Sequence, residues 1–379
     1  MTDRTDTPAA PATVRPAGAA GSVTVREYGT RYLRITVRYH GGTRFSWLRT
    51  RGPAHDQPQV PPSPEVGAAL RAVDTAVAGS GARLALGDWD TPPEEDGVVY
   101  EVPAAVSVAR LLPSGDETGY RLSVRALADQ GRTLRRLHEV PWETGSGDTG
   151  FGEPPPHQGI RRLVDWLSGS SDTGARADAG AGVAGGSVPD GSRLRALAHD
   201  RLGPRLWARL AEWAAAAQEP PGRGGAVLLH GAPSTGWLVP SPAGDHTVLL
   251  TGEEVTGGDP ALDLGWVLGE LHELRSAASR GLGAAGQGPP VDYPAAARAL
   301  LAGYLRKEAV VTEGSGEAPL FTEDDAAALP PGTARAATLR LAVHMRDFAC
   351  FVGWHEDLRR YADLLAEALD AEGAPTLRW

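Results

Sequence analysis

Between Ala226 and Leu264 the chain concentrates side chains that could do chemistry: His230, Asp245, His246, Glu253, Glu254, Asp259 and Asp263. Each also has a plain structural reading. Adjacent carboxylates such as Glu253 and Glu254 serve as metal ligands or an acid/base pair only where burial shifts their pKa, and on a turn they are usually solvated. His230, followed by Gly231, reads as a turn residue more readily than as a base. Gly231–Gly236 has the outline of a phosphate-binding loop. However, Trp237 and Leu238 stand where Lys and Ser/Thr belong, and the loop runs into a strand, so no helix N-terminus faces a phosphate. No metal-ligand spacing, nucleophile elbow or dinucleotide fingerprint appears elsewhere.

The elements that must position these residues are short. Ala226–His230, Gly236–Pro240 and Thr247–Leu250 read as strands, the third entered through the turn-rich Ser241–Asp245. Gly257-Gly258-Asp259-Pro260 reads as a turn that places Pro at a helix start, where its missing N–H is not needed. Strands joined by loops and leading into a helix make a compact frame for a loop-built site.

That frame resembles the catalytic core of the aminoglycoside phosphotransferase family, a branch of the protein-kinase-like fold. The family pattern is His-Gly-Asp, four residues, Asn, a short hairpin, an Asp-Trp-Glu-like turn, then Gly-Asp-Pro-x-x-Asp-Leu. Here His230-Gly231 and Gly258-Asp259-Pro260-Ala261-Leu262-Asp263-Leu264 match. A second block matches too: Gly131-Arg132-Thr133-Leu134-Arg135-Arg136-Leu137-His138 resembles the Gly-x-x-Leu-x-x-Leu-His helix behind the family's site. The resemblance implies structural roles for His138, Asp259 and Asp263. It also implies that Ala232 stands at the base position, Trp237 at the metal-binding Asn, Thr251 at the metal-binding Asp and Glu253 at the turn's Glu. Phosphoryl transfer is mostly positioning and charge stabilisation, with Mg²⁺ held by oxygen ligands. Ala232 offers no side-chain oxygen, Trp237 only an N–H, and Thr251 a neutral hydroxyl. These three residues are expected to meet on the floor of one interlobe cleft, with Trp237 filling part of the metal and phosphate space.

The preceding segment reads as a small β-rich lobe. Tyr32–Tyr39 alternates faces, Gly41-Gly42 turns, and Thr43–Arg49 returns as the partner strand. Glu65–Ala78 has helical apolar spacing, and Ala82–Leu86 and Val98–Pro103 read as strands flanking an acidic turn with Glu94-Glu95-Asp96. The family resemblance implies a Lys on the third strand and a Glu on the helix. This lobe has no Lys, and Arg49, Arg51 and Glu65 are the nearest candidates for nucleotide binding. Read structurally, the two arginines are solvated strand-end charges. No Gly-rich phosphate loop is present in this lobe.

From Val108–Pro113, read as the crossover, the chain turns helical. Helices are expected over Tyr120–His138, Ile160–Leu167, Arg193–Arg201, Arg205–Ala217 (after a break at Gly203-Pro204), Pro260–Ser279 and Ala295–Val311, with one or two more over Gly332–Ala371. Trp207 and Trp213 read as core packing. Residues 1–21 read as a disordered tail and 168–191 as a flexible, low-complexity insertion. The division is therefore 22–112, a β-rich N-terminal lobe, and 113–379, a helical C-terminal lobe. The fold class is α+β, bilobal and protein-kinase-like.

Composition narrows the function. A net charge of −10 over 379 residues argues against bulk electrostatic binding to nucleic acid. One cysteine, Cys350, leaves no internal disulfide, and it reads as a buried helix residue. No run of about 18 apolar residues suggests a membrane span, and no signal peptide is visible, so a cytoplasmic location is the expectation. The preferred expectation is a degenerate family member: a pseudokinase that binds a small molecule, a peptide or a partner protein as a recognition or scaffold subunit. By analogy with the family, its setting would be peptide or metabolite tailoring in bacterial secondary metabolism. The alternative is an active phosphotransferase on a hydroxylated small molecule or peptide Ser/Thr, using ATP and Mg²⁺ at a rearranged site. That site would draw metal ligands from Glu253, Glu254 or Asp245 and a base from His230 or His246.

Overall fold

A computed structural model describes residues 22–55, 57–90, 97–144, 150–170, 190–219, 225–280, 291–306, 325 and 327–378. The tail 1–21, the acidic turn at 94–96 and nearly all of the 168–191 insertion lie outside them, as does the end of the helix expected to reach Val311.

The N-terminal part is a four-stranded antiparallel sheet of order β1-β2-β3-β5, built from β1 (Val23–Gly29), β2 (Leu33–Tyr39), β3 (Phe45–Arg51) and β5 (Gly97–Val102). The β2–β3 hairpin has the register Tyr39↔Phe45 around the Gly41-Gly42 turn. Between β3 and β5 run α1 (Pro64–Ala78) and β4 (Ala82–Ala85). Ser63 caps α1 by accepting from the Val66 amide, and Val66, Leu70, Val73 and Val77 form its buried stripe.

The larger part is helical: α2 (Val108–Leu111), α3 (Glu117–Leu137), α4 (Gln158–Ser168), α5 (Asp190–Gln218), α6 (Ala261–Ser279), α7 (Tyr293–Tyr304), α8 (Thr333–Phe351) and α9 (Asp357–Asp370). α5 is broken by a non-helical residue at Gly203, followed by Pro204. Within this part sit β6 (Val227–Leu229), β7 (Leu238–Pro240), β8 (Thr247–Leu250) and β9 (Thr256–Gly258). Gly257-Gly258 is therefore strand and not turn: β9 pairs antiparallel with β6.

β4 leaves the N-terminal sheet and pairs parallel with β8, giving a second sheet of order β4-β8-β7. Asp74 of α1 reinforces this: its carboxylate accepts from the Leu84 amide at 2.8 Å. The inner face of the N-terminal sheet packs directly on the β7–β8 hairpin. Val37, Trp47, Val98, Tyr100 and Val102 join Val239, Val248 and Leu250 in one apolar cluster. Trp47 is fully buried there and donates its indole N–H to the Ala104 carbonyl at 3.1 Å. Cys350 is half-buried in α8 and not fully buried as expected.

Among the described residues, no helix is long and apolar enough to cross a membrane.

Candidate functional site

β6–β9 pairing places Leu229 opposite Thr256, so the loop after β6 and the turn after β8 lie side by side. Asp263, in the first turn of α6 and fully buried, fixes the first loop. Its oxygens accept from the backbone amides of His230 at 2.7 Å and Gly231 at 2.8 Å. His138, at the end of α3, lies 3.2 Å from the same carboxylate, and its other ring nitrogen is 3.0 Å from the Tyr304 hydroxyl. Burial alone would raise the pKa of Asp263. The His138 hydrogen bond, the charges of His138 and His230, and the Gly231 amide hold it below the usual range. Asp259 caps α6 by accepting from the Ala261 amide at 2.8 Å.

His230 is buried, and both ring nitrogens are engaged. Nε2–H donates to the Leu250 carbonyl at 2.8 Å, and Nδ1 accepts from the Ala232 amide at 3.4 Å. Gly231 has φ of +85°, and a Cβ there would lie 1.8 Å from the Glu254 carbonyl oxygen, so only glycine lets the two loops approach this closely.

The centre of the arrangement is Arg49. It is not a solvated strand end: only 2 % of its side chain is exposed. Its guanidinium donates to Glu253 at 3.0 Å and to both oxygens of Glu254, one of them at 3.1 Å, and lies 4.9 Å from the Trp237 ring centroid. Glu253 and Glu254 are accordingly buried partners and not a solvated pair, with side chains 9 % and 13 % exposed. Burial pulls the Glu254 pKa upward, but the Arg49 charge and hydrogen bond override it and hold the carboxyl low. Gly252 makes room, since a Cβ there would meet the Arg49 guanidinium at 2.1 Å.

Thr251 is buried beside this cluster. Its hydroxyl and amide both donate to the Ala85 carbonyl at 3.0 Å, and its own carbonyl accepts from the Tyr100 hydroxyl. Trp237 is half-buried and packs against both the N-terminal-sheet cluster and the central helical core. Ala232, on the loop held by Asp263, packs toward the outer helical cluster. Arg51 and Glu65 are exposed, and Arg49 finds its carboxylates in the turn after β8 and not in α1. Asp245 and His246, 2.9 Å apart, sit at the opposite end of β8 from Glu253, along a crevice of about 1060 Å³. Among the described residues, no three His, Cys, Asp or Glu lie together so as to hold a metal ion.

Four participants escaped the sequence reading: Trp47, Tyr100, His55 and Tyr32. Trp47 had a signal, because it lies two residues before Arg49 and so on the same face of β3. His55 Nε2 lies 3.0 Å from Glu253, and its ring stacks on Tyr32, which stacks in turn on Phe351 of α8. Arg162 of α4 donates to the Tyr32 hydroxyl at 3.1 Å and pairs with Asp347. The β1–β2 turn is thus fastened to the helices, and Arg31 adds a backbone hydrogen bond to Phe351 at 3.0 Å.

No protein-family model and no curated protein matches the chain. Comparison with solved structures finds phosphotransferases. The chain is similar to an aminoglycoside phosphotransferase from Streptomyces rimosus, at 16 % identity over 93 % of each chain and a TM-score of 0.35. It is similar to a spectinomycin phosphotransferase at 9 % identity over 92 % of each chain and a TM-score of 0.46. It is also similar to an ethanolamine kinase from Plasmodium vivax, at 11 % identity over 89 % of this chain and 82 % of that one, with a TM-score of 0.43. Overlap this loose carries no functional argument; the loop geometry does.

Proposed function

We propose that this protein is a phosphotransferase-like pseudokinase whose interlobe cleft is closed by its own side chains, and that it works by binding a partner. The observation that carries the reading is the buried cluster of Arg49, Glu253, Glu254 and Trp237. In protein kinases a strand Lys grips the nucleotide phosphates, and an Asp and an Asn hold the metal ions. Near the place of that Lys this chain has an arginine already committed to two carboxylates, and at the positions that the motif spacing aligns with the Asp and Asn it has a threonine whose hydroxyl bonds a neighbouring strand and an indole. Mg²⁺ needs convergent oxygen ligands. Glu254 spends both oxygens on Arg49, and Glu253 shares one oxygen between Arg49 and His55, which leaves a single buried carboxylate oxygen and no convergent set among the described residues. These residues do not fit a metal–nucleotide complex. Trp47 adds to the same argument, filling the space between the N-terminal sheet and the β7–β8 hairpin. The rearranged-kinase alternative draws no support from the geometry, because Glu254 and one oxygen of Glu253 are held by Arg49, His230 has no free nitrogen, and Asp245 and His246 lie elsewhere.

The role we infer is a recognition or scaffold subunit, in a setting such as peptide or metabolite tailoring in bacterial secondary metabolism. The test is thermal and chemical denaturation with ATP, with and without Mg²⁺, alongside phosphate transfer to hydroxylated acceptors. The expected result is no Mg²⁺-dependent shift and no transfer. A site binding Mg²⁺–ATP would stabilise the fold by about 2.7 kcal/mol at a hundredfold excess over Kd; that shift, or metal-dependent turnover, would overturn the reading.

A further inference from the structure

A groove of about 560 Å³ opens on the helical part, and none of Arg49, Trp237, Glu253 or Glu254 lines it. Its floor is apolar, formed by Trp213, Ala216 and Ala217 of α5, Leu262 of α6 and Leu339 of α8. Its rim is acidic. Glu153, Glu219 and Asp259 face a single cation, Arg335, whose guanidinium carbon lies 5.3 Å from the Trp213 ring centroid. Glu153 and Glu219 make no ion pair with any described residue. The chain itself therefore shows that this aromatic surface accepts a guanidinium, and the rim leaves carboxylates for another one.

A second feature of the groove is independent of its charge. His157, one of the residues lining it, is only 5 % exposed. Its Nδ1 accepts from the Ile160 amide at 3.4 Å and caps α4, so the ring proton sits on Nε2. Nε2 has no partner among the described residues. The atom is closed off from solvent, so it is a buried polar group behind the groove wall and not a contact point for an occupant.

We propose that this groove docks a peptide segment of a partner protein, one that presents an arginine or lysine between apolar residues. The apolar neighbours cover the Ala-Leu floor, and the basic side chain enters the carboxylate rim over Trp213. Charge complementarity selects the occupant, since three carboxylates stand against one guanidinium on a chain of net charge −10. The proposal rests on the partner-binding reading above and names the partner's chemistry.

The probe is acetyl-Leu-Arg-Leu-amide, titrated calorimetrically into the full chain at low and at physiological salt, with acetyl-Leu-Glu-Leu-amide as control. The arginine peptide should bind and the glutamate peptide should not. Joint Glu153→Gln and Glu219→Gln substitution should weaken binding about three- to tenfold and flatten its salt dependence. Ala216→Trp should abolish binding by filling the floor. Equal binding of both peptides, or arginine-peptide binding unaffected by both changes, overturns the proposal, as does the absence of binding. A small cation such as agmatine binding as tightly as the peptide would also overturn it, in favour of a small-molecule site. Failure of the pseudokinase reading is separately visible as Mg²⁺–ATP binding.

Discussion

Replacing Arg49 by Met tests the buried cluster directly. Methionine retains most of the apolar stem, so little cavity forms and the loss is chiefly electrostatic. The guanidinium is 2 % exposed, and its two carboxylate partners are 9 % and 13 % exposed. Removing one member of a buried charged group costs about 3–5 kcal/mol, because the partners stay desolvated and unpaired. An exposed pair would cost under about 1 kcal/mol. The effect should also depend on pH. In the native protein Arg49 holds the Glu254 pKa below its ordinary range against the upward pull of burial. A depressed folded pKa contributes stability above the unfolded value and loses it as pH falls through the folded one. Without Arg49 the upward pull of burial is opposed only by a backbone hydrogen bond and the nearby His230, so Glu254 titrates higher than in the native protein and its penalty as a buried carboxylate is relieved by protonation. The stability gap between native and Arg49→Met chains should therefore be full above the variant's raised Glu254 pKa and shrink as pH falls through it toward the depressed native one. Urea denaturation at pH 7.5 and pH 4 measures both quantities. Arg49→Lys should fall between, since an ammonium keeps the charge but cannot fork onto two carboxylates. A loss below about 1 kcal/mol, or a gap that ignores pH, would refute the assignment of a buried ion-pair cluster.

Asp263→Asn should cost about 3–5 kcal/mol, because the neutral amide presents donors where two amides and His138 already donate; the urea midpoint reports it, and a loss under 1 kcal/mol would contradict the loop-fixing role. Gly231→Ala should destabilise by more than the roughly 1–3 kcal/mol of a strained backbone, because the new Cβ also meets the Glu254 carbonyl; a melting temperature equal to the native value would be inconsistent with the close loop approach. Trp47→Ala should cost about 3–5 kcal/mol by opening a cavity between the N-terminal sheet and the β7–β8 hairpin; near-neutral behaviour would mean that the space is not filled as described.

Periodicity and turn chemistry made much of the architecture legible. The alternation of Tyr32–Tyr39, the Gly41-Gly42 turn and the 3.6-residue stripe of α1 are local signals, and the corresponding elements lie where they were read. So did the break at Gly203-Pro204, because glycine and proline act on their own backbone. The family resemblance implies a structural role for Asp263; that its carboxylate accepts from the His230 and Gly231 amides is read from the structure alone.

Choice of distant partner was not legible. Arg49 and Glu254 are 205 positions apart, and nothing in either neighbourhood distinguishes a solvated charge from a buried one. Glu253 and Glu254 read as surface carboxylates because adjacent acids usually are. Only the packing of the N-terminal sheet against the β8 turn removed them from water and supplied their counter-charge. The departure of β4 to pair with β8, and of Gly257-Gly258 into β9, likewise follows from which edges tertiary folding brings together. A residue's backbone preference is carried by its immediate sequence, whereas its dielectric surroundings and its ionic partners are set by chain segments that only the folded structure brings into contact.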